Sequence, residues 1–133
     1  MSDLYISRGN GRRQVAKSRI FNIDNGNGTV ANDAFLMCTQ PIQILSAKVL
    51  YTTETAGTVA AATISVGTTV AGVELVAATA LENSKTVGAT TALTLTAAAA
   101  KVAANTMITA SHTGVATTAL GEYYVVIEYV LFS

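Results

Sequence analysis

From Thr52 to Ala119 the chain is written almost entirely in Ala, Thr, Val, Gly and Ser, and only Glu54, Glu74, Glu82, Lys85 and Lys101 carry charge. Thr and Val are stiff at χ1 and fit a pleated sheet, whereas Ala favours helix and Gly punctuates. The mixture predicts short strands joined by tight turns. It also supplies few groups able to act as acid, base, nucleophile or ligand. The stretch speaks about architecture and assembly, and it points away from an enzyme.

The strands themselves are legible as alternation. From Gln43 to Tyr51, Leu45, Ala47, Val49 and Tyr51 share one face while Ser46 and Lys48 point the other way, and Pro41 marks the entry. Ile64 and Val66 alternate with Thr63 and Ser65 up to Gly67, Leu93 and Leu95 with Thr94 and Thr96, and Ile108 and Ala110 with Thr109 and Ser111. Strands at this spacing predict an antiparallel β-sandwich or barrel. Residues 73–81 and 97–104 are Ala-rich enough for helix by propensity. Both are short and lie in a β context, so they are read as strands.

The last strand is the most informative. Tyr123, Val125, Ile127, Tyr129 and Leu131 form one apolar face, and Tyr124, Val126, Val130 and Phe132 lie opposite, relieved only by Glu122 and Glu128. One face fills the core, where burying a large side chain is worth roughly 1.5–3 kcal/mol. The other needs a cover, so Tyr124, Val126, Val130 and Phe132 are candidate subunit-interface residues. Small side chains elsewhere leave a thin core, and burial between subunits would compensate.

Charge divides the chain. Arg8, Arg12, Arg13, Lys17 and Arg19 are five of its eight basic residues, and only Asp3 opposes them locally. Gly9, Asn10 and Gly11 interrupt any helical period, so residues 1–33 read as an extended basic N-terminal arm followed by a hairpin or loop. Residues 34–133 are read as the sandwich domain. The five basic residues are candidates for a tether to an acidic surface. No aromatic residues are interleaved with them to stack on bases.

The remaining motifs lead to structure. In Asp24-Asn25-Gly26-Asn27-Gly28, Asn-Gly pairs supply the positive φ angles of a tight turn. As a calcium loop it would put Gly26 and Phe35 where oxygen ligands belong. Gly26-x-Gly28-x-x-Ala31 lacks the strand-turn-helix context of a dinucleotide site. His112, the only histidine, has no Cys or second His near it and reads as a residue at a strand end or turn. Glu122 and Glu128 lie six residues apart on one strand, roughly 20 Å by strand rise, too far for a glycosidase pair. No catalytic residue, metal or cofactor is expected.

With 133 residues the chain is sized for one domain plus an arm. Only 12% of residues are charged and net charge is zero, against about 25% charged in an average domain. Without a global field, neither nucleic acid nor an anionic membrane is an expected partner. So little charge favours self-association. Cys38 is alone and reads as a small buried residue. Met1 to Ile6 lack the pattern of a signal peptide, and no run approaches the ~18 apolar residues of a membrane span, so synthesis in a cytoplasm is expected.

Thr63-Ile64-Ser65-Val66-Gly67-Thr68-Thr69, Ser111-His112-Thr113-Gly114-Val115-Ala116 and Gly121-Glu122-Tyr123-Tyr124-Val125-Val126-Ile127-Glu128-Tyr129 resemble the small jelly-roll cement or decoration proteins of tailed bacteriophage heads. The resemblance covers residues 35–133 and contains no catalytic motif. It implies an all-β jelly-roll sandwich that forms trimers or similar clusters on the outside of the virion head. Its partners would be sister subunits and a major capsid protein of HK97-like fold, whose capsomers it would staple together. The alternative is a carbohydrate- or receptor-binding β-sandwich of a phage fibre or tail. The absence of Trp counts against it, because sugar sites commonly place aromatics over a sugar face.

Overall fold

Alternating apolar and polar residues are realised as nine strands in a computed structural model that describes residues 12–24, 29–57, 59, 62–114 and 119–131. The strands are β1 (Gln14–Lys17), β2 (Phe21–Asn22), β3 (Val30–Cys38), β4 (Ile42–Tyr51), β5 (Thr63–Gly67), β6 (Val76–Ala80), β7 (Thr90–Leu93), β8 (Thr106–Thr113) and β9 (Glu122–Leu131). One sheet has the order β1-β9-β4-β7, with β2 pairing β9 beyond β1; the other has the order β3-β8-β5-β6. All pairings are antiparallel. The protein is an all-β sandwich of two antiparallel sheets, and no α-helix occurs among the described residues.

The core lies between the sheets and follows the period of two. On β9, Tyr123, Val125 and Ile127 are fully buried and Tyr129 nearly so, while Tyr124, Val126, Glu128 and Val130 are half-buried. Ile64 and Val66 of β5 and Ile108 and Ala110 of β8 meet them from the other sheet. On β4 the pattern has a break that simple alternation hides. A bulge between Ile44 and Ser46 sets Ile44 and Ala47 both inward and leaves Leu45 half-buried, not on the core face.

The two Ala-rich segments read as strands divide. Residues 76–80 are a strand, but Ala97–Ala100 form a 3-10 turn that tucks Ala99 into the core before Val102 bridges to Ile42. Small side chains allow this close turn where a strand was expected. The Asn-Gly segment does not join paired strands, since β2 lies in one sheet and β3 in the other; residues 25–28 themselves lie outside the described residues. β1 and β2, within the segment read as an arm, are hydrogen-bonded to β9, and β3 spans the 33/34 boundary between arm and domain.

The largest departure is His112. It is the next-to-last residue of β8, near the strand end as read, but it faces the core and is fully buried. Phe21 stacks on it at 5.9 Å between centroids, and Tyr123 lies 5.5 Å away. Its Nε2 is 3.3 Å from the Ile23 carbonyl oxygen, which can only accept, so Nε2 carries the proton and Nδ1 accepts from the Tyr123 hydroxyl. This neutral imidazole ties β2 to β8 and β9, that is, one sheet to the other.

A second local device shapes the outer side of the β3-β8-β5-β6 sheet. Residues 68–74 fold back over it, where the Ala71 N–H donates to Ser111 Oγ at 2.9 Å and Ser111 Oγ donates to Asn32 Oδ1 at 2.6 Å. Ser65, Thr109 and Ser111 are therefore buried although they point away from the core. The Glu74 carboxylate accepts the Thr68 N–H at 3.0 Å, and that bond holds its pKa below the usual value. A Cβ on Gly67 would lie 2.5 Å from the Gly72 carbonyl carbon, so only glycine fits.

Two predictions follow from these devices. Gly67→Ala should cost about 1–3 kcal/mol in denaturant unfolding, the range of an overpacked site. Burial holds the His112 pKa below its ordinary value, so the unfolded chain binds the proton more readily. Stability is therefore complete above roughly pH 6.5 and is lost as pH falls through the lower folded value. His112→Phe should flatten that dependence as pH falls below roughly 6.5. It should also cost roughly 1–3 kcal/mol for each buried partner left unpaired.

Candidate interaction surface

The side of β9 that faces away from the core is the centre of a mixed apolar and basic surface. Register sets Val126 between Lys17 of β1 and Lys48 of β4, Glu128 between Val15 and Ser46, Tyr124 beside Leu50, and Val130 beside Gln43. Val15 is 62% exposed. Tyr124, Val126, Val130 and Leu50 are half-buried. An apolar strip thus runs across β1, β9 and β4 with amines on either side. Phe132, the fourth residue of the expected interface, lies outside the described residues.

The basic residues are distributed unequally around this strip. Arg13 reaches Glu128 at 3.3 Å, and Ser46 Oγ donates to the same carboxylate oxygen at 3.1 Å. The Arg13 side chain remains 66% exposed, so the pair is a weak surface contact that leaves its charge available. The Lys17 ammonium stands 5.3 Å from the centroid of Tyr124, close enough for a cation–π contact. Arg12 is exposed just ahead of β1. Arg19 departs from the group: its guanidinium lies 5.1 Å from the Phe21 ring and its backbone N–H donates to Asp33 of β3 at 2.7 Å. Arg8 lies outside the described residues. The fold therefore gathers Arg13 and Lys17 with Tyr124 and Val126, and sends Arg19 to the seam between the sheets.

No protein-family model, curated protein or solved structure matches the chain.

Other chemistry-bearing groups serve the fold. Both ring nitrogens of His112 are occupied inside the core. Tyr51 donates to Thr91 Oγ1 at 2.8 Å, Thr91 donates to Glu82 Oε1 at 2.6 Å, and the Glu82 N–H returns to Tyr51 at 3.0 Å. The Thr91 hydroxyl, with Lys85 beside it, holds the Glu82 carboxyl below the usual range. This ring fastens residues 81–91 to β4. At the opposite end a cavity of about 170 Å³ is lined by Gln14, Leu36, Cys38, Ile42, Tyr129 and Leu131. Burial pushes the Cys38 thiol pKa up, away from reactive thiolate. Among the described residues no three His, Cys, Asp or Glu side chains cluster as metal ligands.

Sequence pattern alone picked out Tyr124, Val126 and Val130 but missed Val15, Leu50 and Lys48 as members of the same surface. Alternation in β4 turned Lys48 outward, and Leu50 follows it by the same period, yet only the β4–β9 register places them beside Val126 and Tyr124. A double-mutant cycle on Lys17→Ala and Tyr124→Leu should give a coupling energy of about 0.5–1 kcal/mol in equilibrium unfolding. Additivity would show that the Lys17–Tyr124 contact contributes nothing to holding β1 on β9.

Proposed function

We propose that this chain is a structural assembly protein of jelly-roll type that binds the outside of a tailed-phage head as an oligomer, a trimer, and holds neighbouring capsomers of the major capsid protein together. The observation that carries this reading is the outer face of β9. Apolar side chains at Tyr124, Val126, Val130 and Val15 lie beside exposed Arg13 and amines at Lys17 and Lys48. A surface of this kind serves contact: the apolar strip meets sister subunits and the basic residues meet acidic shell surface.

The strand orders support the jelly-roll assignment. If β1 and β2 count as one interrupted strand, eight strands remain, and the two sheets run β1/β2-β9-β4-β7 and β3-β8-β5-β6. Successive strands pass from sheet to sheet at every step except β5 to β6, as in a roll of two Greek keys. The fold class hosts many functions, and the resemblance of residues 63–69, 111–116 and 121–129 to head decoration proteins supports this choice among them. Binding would be static and without chemistry. Each subunit would contribute modest area, multiplied in a symmetric cluster because later contacts form at high effective concentration.

Cosedimentation with purified heads of the parent particle tests the reading. Wild-type protein should saturate the shells, and Arg12→Glu with Arg13→Glu should weaken binding in a salt-dependent way while the oligomer persists. Val126→Asp should lower both the solution mass and the occupancy. Binding to a glycan array with no affinity for shells would replace this proposal with the receptor-binding alternative.

A further inference from the structure

Among the described residues each sheet ends in strands whose outer backbone groups lack a neighbouring strand, and natural proteins blunt such edges by shortness, charge, proline or cover. β1 and β7 have four residues each, and β1 carries Lys17. β6 has five, and its first residue is bridged by Leu95. β3 has nine residues and a single charge, Asp33, which is already engaged by the Arg19 N–H. By these criteria β3 is the least protected edge of the sandwich.

A bulge between Ala34 and Leu36 divides β3 and leaves residues 30–34 as its regular half. The Gly114 N–H donates to the Thr29 carbonyl at 2.8 Å. In an antiparallel ladder, successive residues turn their N–H and C=O groups alternately towards and away from one neighbour. Thr29, Ala31 and Asp33 therefore direct theirs to β8, and Val30, Asn32 and Ala34 direct theirs to the open side. Among the described residues no backbone hydrogen bond reaches these three from that side. The Val30 and Ala34 side chains are exposed.

We propose that the open edge of β3 pairs antiparallel with β3 of a second copy, across a two-fold axis at Asn32. This register sets Val30 of each copy opposite Ala34 of the other and Asn32 opposite Asn32, all with backbone groups facing, so each pair exchanges two hydrogen bonds. It joins two four-stranded sheets into one continuous sheet. A second copy fits because the strand is self-complementary in this register. Each Asp33 stands opposite Ala31 of the other copy, whereas an axis at Asp33 would oppose two carboxylates, which destabilises a pair. The contact is small and therefore weak alone. It gains strength where copies are already held side by side. It is separate from the outer face of β9, and its test needs no shell, so the failure of either proposal leaves the other standing.

The test is thiol cross-linking in solution. A Val30→Cys, Ala34→Cys double variant treated with a short bifunctional thiol reagent should yield a covalent dimer. Each single variant should yield none, because like positions lie four residues apart, roughly 13 Å by strand rise. Buried Cys38 is common to all three proteins. Val30→Pro removes an outward N–H at the first residue of the strand, where proline is tolerated. It should weaken self-association about tenfold by sedimentation while the unfolding midpoint holds. A dimer from a single variant, no dimer from the double variant, or unchanged sedimentation of Val30→Pro would each overturn the pairing.

Discussion

The sandwich depends on one neutral imidazole. His112 projects from β8 into the core, accepts from Tyr123 on β9 and donates to the backbone of Ile23 just beyond β2. Most contacts between facing sheets are apolar and non-directional, and Ala- and Thr-rich strands supply few large ones. A hydrogen-bonded group in the middle of such a core fixes which residues meet, because each partner would be buried and unsatisfied in any other arrangement. Phe21 stacked on the ring adds a geometric check. The N-terminal strand is thereby held at its far end by this knot as well as along its length by β9.

Alternation in β4, β5, β8 and β9 was readable from the sequence because each has a clean period of two with one face in the core. The arrangement of the first thirty residues was not. Gln14-Val15-Ala16-Lys17 is too short and too polar to announce a strand, and it becomes one only because the edge of β9 is there to receive it. Nothing local to His112 predicted burial, since its partners are 11 and 89 residues away in the chain. Leu45 failed for a related reason: a bulge moves the inward positions by one residue, and bulges leave little trace in composition.

The candidate surface shows the same division. Its apolar members on β9 were legible because a strand apolar on both sides requires two covers. The basic residues were legible as a group but not as a geometry. Arg13 and Lys17 lie along the β9 face because β1 pairs there, while Arg19 belongs to the seam where Asp33 captures its N–H. A cluster of charge in sequence is a local property, and a cluster in space is set by the sheet that recruits it.

The segment that folds back over Ser65, Thr109 and Ser111 makes the two broad sides of the molecule unlike. One side has its middle sealed by its own chain, with backbone approach so close at Gly67 that no side chain fits. The opposite side keeps Val15 and its neighbours on β9 open. A body with a front and a back of this kind offers two chemically different faces, so a partner that fits one of them finds no equivalent place on the other.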